Sequence, residues 1–183
     1  LKLALEYMPF TALYTLAETL EIVAEVGAAR AGALVDIWHH AHDPGGWEAL
    51  AGAPLDAIAY VEFDDAKAPG QGADLADETM HHRTFPGTGV LDCGRFARAC
   101  RARGYTGMVS IEVLDRAWRG RPLRDFARAQ YEARLHHHAT ADRKGVTGHH
   151  VSKAMRFHRA KLQEAKARAF AFAYGQQMKG VAS

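Results

Sequence analysis

Four acidic residues stand at the ends of four short apolar segments, where a charge is costly unless something compensates it. They are Glu6, Asp36, Glu62 and Glu112. Each closes or follows a run such as Leu3-Ala4-Leu5 or Ile58-Ala59-Tyr60-Val61. A single carboxylate in such a place is more often a helix N-cap or part of a loop ion pair, but four in register favour a metal site. A divalent cation would remove their mutual repulsion, and an all-oxygen ligand set favours Mg²⁺ or Mn²⁺.

Histidine and arginine residues near these positions are candidates for contact with a substrate. His39 follows Asp36 by three residues, and it is either a solvated loop histidine or an acid/base or substrate-binding group. Arg83 offers a forked donor for a hydroxyl, carboxylate or phosphate group, and His82 precedes it in the same long loop. We expect His40 and His42 to lie on the loop surface.

A turn with two glycines, Pro86-Gly87-Thr88-Gly89, follows Arg83. Such a turn would bring backbone amides near a bound ligand. The spacing matches neither a phosphate-binding P-loop nor a dinucleotide fingerprint. The sequence therefore gives no indication of nucleotide chemistry at this turn.

The apolar segments alternate with helical patterns, which indicates βαβ units and a parallel sheet. Strands are expected over residues 1–6, 33–37, 58–63 and 108–113, and helices over 13–26, 47–50, 92–103 and 123–135. In such a sheet the carboxyl ends of the strands open on one face, which is where active sites lie. The four carboxylates are therefore predicted to converge at that face.

Charge is unevenly distributed along the 183 residues. Residues 1–134 carry 14 Lys/Arg and 19 Asp/Glu, whereas residues 135–183 carry 9 and 2. The acidic balance of the first region excludes a uniformly basic surface for nucleic acid. No apolar run approaches the ~20 residues of a membrane helix, no leader is visible, and the two cysteines suit a reducing compartment. We therefore expect a cytoplasmic protein without a membrane partner or a specific nucleic-acid partner.

Short motifs around the four acidic residues occur in a fixed order. They are Leu3-Ala4-Leu5-Glu6-Tyr7, Val35-Asp36-Ile37-Trp38-His39, Val61-Glu62-Phe63-Asp64-Asp65 and Ser110-Ile111-Glu112-Val113, together with His82-Arg83 before the glycine turn and Gly104-Tyr105-Thr106-Gly107 before the last strand. This set resembles the xylose isomerase-like TIM-barrel superfamily of sugar phosphate isomerases and epimerases. The resemblance implies an α/β fold, a partial (β/α)8 TIM barrel of about its last four βα units, followed by a basic α-helical tail.

The resemblance also implies roles for individual residues. The metal ligands would be Glu6, Asp36, Glu62 and Glu112, and the substrate contacts His39, His82 and Arg83. In ketose epimerases of this superfamily the first and last glutamates also move the proton next to the carbonyl, so Glu6 and Glu112 would be the acid/base catalysts. Many relatives carry His or Gln where Glu62 stands, so this chain has one more carboxylate than they do.

Three domains are expected from these observations. Residues 1–134 form the C-terminal half of a xylose isomerase-like barrel, residues 135–151 a linker rich in His and Gly, and residues 152–183 a basic helical extension. The extension is interpreted as a partner-binding helix, a nucleic-acid-attracting arm or a sequence without an evolved role. A homodimer or a missing N-terminal half would complete the barrel, because a full barrel takes about 250 residues.

The expected function is a divalent-metal-dependent isomerase or epimerase of a small sugar, sugar phosphate or polyol. One alternative is a metal-dependent dehydratase of the same fold, of the inosose or dehydroshikimate type. Another is a non-catalytic, truncated remnant that binds a metal or a partner without turnover. The endonuclease IV branch is disfavoured. Its members have more histidines, for a zinc cluster, and a basic surface that faces DNA, whereas residues 1–134 of this chain are acidic overall.

Overall fold

A computed structural model describes residues 1–142, and in it a parallel sheet with helices packed against it forms an α/β fold. The main sheet has four parallel strands in the order β1-β2-β3-β6, and β4 and β5 form a separate antiparallel pair. The strands are β1 (Leu3–Glu6), β2 (Ala31–Asp36), β3 (Ile58–Glu62), β4 (Asp65–Ala66), β5 (Arg83–Thr84) and β6 (Val109–Ser110). The α/β prediction is confirmed, and the arrangement is that of a partial TIM barrel.

Helices connect the strands in the order expected of successive βα units. They are α1 (Leu16–Val26), α2 (Ile37–Ala41), α3 (Gly46–Gly52), α4 (Leu75–His81), α5 (Cys93–Ala102) and α6 (Leu123–Asp142), with short 3-10 turns at Leu55–Ala57 and Arg116–Trp118. Helix α6 continues beyond Leu135 into the expected linker. The rest of that linker and the expected basic helix lie outside the described residues.

The ends of the first helix follow from side-chain chemistry. Thr15 accepts a hydrogen bond from the Glu18 amide, and the Glu18 carboxylate accepts one from the Thr15 amide, which is a reciprocal capping box. Gly27 ends the helix with φ at +89°, a conformation that glycine adopts without the cost of a Cβ. The start and the end of helix α1 are therefore determined by local contacts, directly after the loop that follows β1.

The core lies between the sheet and the helices. Apolar side chains from β2 and β3 pack against those of α3 and α5, because the strands of a parallel sheet are covered by helices. Its buried members include Tyr7, Val35, Leu50, Val61 and Phe96. Across residues 1–142, no helix combines the length and the apolar character needed to cross a membrane.

Candidate functional site

The four predicted ligands lie at the carboxyl ends of the four parallel strands. Glu6, Asp36 and Glu62 are the last residues of β1, β2 and β3, and Glu112 follows the end of β6 by two positions. Asp36 pairs with Glu62, and Glu62 pairs with Ser110. The Ser110 hydroxyl donates to Glu62 Oε1 at 3.0 Å, which ties the end of β6 to the end of β3. The register thus directs these side chains toward one place.

The carboxylates meet closely in space. One carboxylate oxygen from each of the four residues lies within 4.8 Å of the others. Asp36 is fully buried, whereas the side chains of Glu6 and Glu112 are 30% and 38% exposed. The group therefore lies at the base of a site that opens at the carboxyl ends of the strands.

Burial and mutual repulsion both disfavour ionisation of this group. Burial, followed by the charge of Glu112, raises the pKa of Glu62 to about 7. Burial also raises the pKa of Glu112, and the neighbouring Arg83 opposes that rise. The four carboxylates in this small volume repel one another, and the single charge of Arg83 offsets only part of that repulsion. The donor set therefore fits a hard divalent cation that prefers oxygen ligands.

Arg83 lies beneath the carboxylates with only 1% of its surface exposed. Its Nη1 lies 2.7 Å from Asp36 Oδ2, 2.6 Å from Asp64 Oδ2 and 3.5 Å from Glu112 Oε2. Burial opposes the guanidinium charge, but Asp36 and Asp64 outweigh it and raise the pKa of Arg83 further. Arg83 is thus a permanent positive charge inside the site.

His39 is buried at the mouth of the site. Its backbone amide donates to Asp36 Oδ1 at 2.9 Å, so Asp36 is both the N-cap of α2 and a member of the carboxylate group. The ring atom Nε2 lies 3.4 Å from Glu6 Oε1. The structure therefore brings His39 together with the predicted ligands.

His82 lies elsewhere in the same loop region. Its Nε2 is 3.8 Å from Asp77 Oδ2, and its backbone forms a bridge with Asp115. Both of these neighbours are outside the group of four carboxylates. The structure thus places His82 beside acidic residues of the surrounding loops.

Two acidic residues that the sequence analysis did not single out are buried next to the site. Asp64 is paired with Arg83, and burial raises the pKa of Asp64 well above its usual range. Asp65 accepts four backbone amides, from Ala66, Gly87, Gly89 and Leu91. The signal in the sequence was an Asp-Asp pair directly after a buried strand, before a loop with a lone arginine.

The same contacts correct the interpretation of the glycine turn. The amides of Gly87 and Gly89 are bonded to Asp65 Oδ2, at 3.0 and 2.8 Å. They hold the loop instead of facing a ligand. A Cβ on Gly89 would also collide with the backbone oxygen of Ala66, so the close approach of this turn to β4 requires glycine there.

His40 was expected on the loop surface, and that expectation is wrong. His40 is fully buried, with its Nδ1 3.2 Å from the hydroxyl of Tyr7. Its ring packs edge-on against Trp47. Burial lowers the pKa of His40 to about 4, so the side chain is a neutral core residue at physiological pH.

Two known proteins are similar to this chain in sequence. The chain is 29% identical over 113 residues to the 3-dehydroshikimate dehydratase of Pseudomonas putida, covering 62% of this chain and 18% of that protein. It is 29% identical over 115 residues to the inosose isomerase of Halalkalibacterium halodurans, covering 62% of this chain and 39% of that protein. The chain therefore spans well under half the length of these curated relatives.

A solved structure agrees with the fold. The crystal structure of the IOLI protein, which has a bound zinc atom, matches 74% of this chain and 48% of its own, with a TM-score of 0.65 and 23% identity. At that identity the likeness establishes the fold alone. A sequence profile described as "Xylose isomerase-like TIM barrel" matches residues 1–133. Since the match covers well over half of the chain, the protein belongs to the xylose isomerase-like TIM barrel family.

Proposed function

We propose that this chain carries the cation-binding face of a divalent-metal-dependent isomerase or epimerase of small sugars, sugar phosphates or polyols. The observation that carries the proposal is the convergence of four carboxylate oxygens within 4.8 Å at the ends of adjacent parallel strands. An arrangement that costs this much electrostatically is retained where it binds a cation. An inosose isomerase among the relatives supports the reaction class.

In this proposal Glu6, Asp36, Glu62 and Glu112 hold Mg²⁺ or Mn²⁺. The bound ion would polarise the carbonyl and hydroxyl oxygens of the substrate and so acidify the adjacent C–H bond. A site built from carboxylates alone favours these hard ions over zinc, which prefers nitrogen and sulfur ligands. The zinc of the IOLI structure belongs to a protein that is 23% identical.

Proton transfer is assigned to Glu6 and Glu112. These two carboxylates are partly exposed, so a substrate in the mouth can reach them, whereas Asp36 is fully buried. One glutamate removes the proton from the carbon next to the carbonyl, and the other returns a proton, which inverts the centre. Burial raises the pKa of Glu112, and a raised pKa favours a carboxylate as a proton acceptor.

Substrate contact is assigned to two histidines. His39 lies beside Glu6 at the mouth and would bind a hydroxyl or carbonyl oxygen of the substrate. His82 belongs to the segment between β3 and α5, and it would contact the distal end of the substrate. A substrate oxygen bound to His39 would lie beside Glu6.

The test measures cation binding and proton exchange on the same protein. Mn²⁺ titrated into the metal-free chain is expected to bind, and the loaded protein should exchange the α-proton of a ketose, ketose phosphate or inosose with D2O, as followed by NMR. Glu112→Gln should weaken Mn²⁺ binding and abolish exchange. The exposed Glu21 provides a matched control, and Glu21→Gln should change neither. Absence of Mn²⁺ binding by the wild-type chain would contradict the proposal.

A second candidate function is dehydration of a cyclic polyol ketone. It is favoured by the 3-dehydroshikimate dehydratases of two Pseudomonas species, which are 29% and 31% identical to this chain. The first step is the same proton removal, but the adjacent carbon then loses its hydroxyl group as water. Formation of an enone, which absorbs in the ultraviolet, would identify this reaction. Cation binding without exchange or elimination would instead support a non-catalytic protein.

A further inference from the structure

We propose that Ser110 makes the site prefer Mg²⁺ and Mn²⁺ over Ca²⁺, because its hydroxyl holds the Glu62 carboxylate by one of its two oxygens. The inference rests on the proposed function, because it concerns the same group of four carboxylates. It goes beyond that function by assigning the choice between cations to a side chain outside the group. Ser110 is thus a positioning residue, which acts through Glu62.

The backbone brings Ser110 to the side of Glu62. The two residues are separated by 48 positions in the sequence, and they are direct partners in the parallel pairing of β3 with β6. The amide of Phe63 donates to the carbonyl oxygen of Ser110 at 2.9 Å, which continues this pairing past the end of β3. The sheet itself therefore places the serine hydroxyl next to the carboxylate, whether or not a cation is bound.

The hydroxyl of Ser110 engages one oxygen of Glu62. Its Oγ donates to Glu62 Oε1 at 3.0 Å, and both residues are partly buried. A hydroxyl has a single proton to donate, and a hydrogen bond to a charged carboxylate is stronger than one between neutral groups. A carboxylate held in this way at Oε1 favours coordination of a cation through Oε2 alone.

Glu62 is the member of the group that a single hydroxyl can orient. Asp36, by contrast, is fully buried and held at both oxygens. Its Oδ1 accepts the amide of His39 at 2.9 Å, and its Oδ2 accepts Nη1 of Arg83 at 2.7 Å. Because a serine hydroxyl is uncharged, removing it frees the Glu62 carboxylate and leaves the charge of the site unchanged.

Divalent cations differ in the carboxylate geometry that they accept. Mg²⁺ needs a nearly octahedral set of oxygens at about 2.0–2.1 Å, whereas Ca²⁺ takes about six to eight oxygens at about 2.3–2.6 Å. Ca²⁺ also accepts both oxygens of one carboxylate. A glutamate that is free to turn can supply this second oxygen, so the Ser110 hydrogen bond disfavours Ca²⁺ relative to the smaller ions.

The decisive variant is Ser110→Ala, which removes the hydroxyl and keeps the small side chain. Mn²⁺ and Ca²⁺ are titrated separately into the metal-free 183-residue chain at pH 8 and followed by calorimetry. We expect Mn²⁺ affinity to fall about tenfold, as is common when a partner of a metal ligand is lost. Ca²⁺ affinity should stay the same or rise, so the ratio of Ca²⁺ to Mn²⁺ affinity should increase about tenfold or more.

Two further variants keep the test independent of folding. Ser110→Thr retains the hydroxyl and should keep the wild-type ratio. If Ser110→Ala does not fold, Ser110→Val replaces it, because valine and threonine have the same shape and differ in the hydroxyl. Thr19→Val is the matched control, since it removes a buried hydroxyl that donates to the backbone oxygen of Thr15 in α1. Both affinities should be unchanged in this control, even where its thermal stability falls.

The outcomes separate this inference from the proposed function. An unchanged affinity ratio in Ser110→Ala, with normal Mn²⁺ binding by the wild-type chain, would overturn the role of Ser110 and leave the proposed function intact. Equal weakening of Mn²⁺ and Ca²⁺ would also overturn it, because the hydroxyl would then support the site without selecting the ion. A wild-type chain that binds neither cation would overturn both.

Discussion

The raised pKa of Glu62 reflects the electrostatic cost of placing the four carboxylates together. Its pKa is about 7, above the usual 4.5, because of burial first and the charge of Glu112 second. The carboxyl group of Glu62 therefore holds its proton more tightly in the folded protein than in the unfolded chain. The stability that this provides is present below about pH 4.5 and is lost as the pH rises through about 7.

The first prediction concerns this pH dependence. In the presence of a chelator, the melting temperature should fall between pH 5 and pH 8, and Glu62→Gln should reduce the fall because an amide has no proton to lose. Thermal unfolding followed by circular dichroism at both pH values measures the effect. Glu21→Gln should leave the slope unchanged, and equal slopes for Glu62→Gln and the wild type would refute the assignment.

Glu62 also offers a second prediction, on metal preference. Replacing Glu62 by His exchanges an oxygen ligand for an imidazole nitrogen and removes one negative charge from the group. Imidazole suits Zn²⁺, whereas carboxylates suit Mg²⁺ and Mn²⁺. Glu62→His should therefore raise the ratio of Zn²⁺ affinity to Mg²⁺ affinity by about tenfold or more. Competitive titration with the two ions measures this ratio, and an unchanged ratio would show that Glu62 is not a ligand.

Some residues of the site can be recognised from their neighbours in the sequence, and others only from contacts with residues far away in the sequence. The four carboxylates were predictable because each one interrupts a local apolar run, and the parallel sheet then brings the strand ends together. The contacts of Arg83 were not predictable, because Asp36 lies 47 positions away from it in the sequence and Asp64 lies 19 positions away. His40 was misassigned because its polar ring is buried by Tyr7, Trp47 and Phe96, which only the tertiary structure brings together.

At the scale of the elements, the turn between β5 and α5 is held by the single side chain of Asp65. Asp65 on β4 collects four backbone amides from β4 and the turn. A buried donor that loses its acceptor costs about 1–3 kcal/mol. Asp65 therefore connects β4, β5 and the start of α5 through one carboxylate.

The third prediction compares this carboxylate with an ordinary helix cap. Asp65→Ala should lower the free energy of unfolding by about 2 kcal/mol or more, because one buried and three partly buried amides lose their acceptor at once. Asp92→Ala removes the N-cap of α5, which bonds one backbone amide, and should cost about 1 kcal/mol. Urea denaturation of the metal-free variants measures both values. Equal losses would mean that water replaces Asp65 in the turn.

Strand prediction succeeded for the elements that carry continuous apolar runs. β1, β2 and β3 lie within one or two residues of their expected bounds, and α5 follows the predicted pattern with Phe96 and Cys100 buried. β6 is shorter than expected, because only Val109 and Ser110 pair with β3. The two-residue strands β4 and β5 have no periodicity to detect, since they exist through the contacts of Asp65 and the register with Arg83.

At the scale of the whole molecule, the sheet has two open edges. β1 and β6 are the outer strands of the main sheet, and among residues 1–142 neither has a strand on its outer side. Four parallel strands are half the number in a complete barrel of this family. Apolar residues on these strands are exposed, Leu3 at 62% and Val109 at 52%. Exposed edges of this kind pair readily with other strands.

The fourth prediction follows from these edges. We expect the purified 183-residue chain to self-associate at micromolar concentration, in a form that sedimentation velocity detects as species larger than a monomer. Leu3→Lys together with Val109→Lys should shift the population toward monomer, because a charge on an edge strand opposes pairing. Leu123 at the start of α6 is as exposed as Leu3, at 62%, so Leu123→Lys tests whether any exposed apolar residue has the same effect. A monomeric wild-type chain would show that these edges are covered within the chain, and an equal response to Leu123→Lys would show that association does not run through the sheet. If the two edge substitutions alone restore the monomer, Mn²⁺ titration of that monomer then shows whether four strands are sufficient to hold the cation.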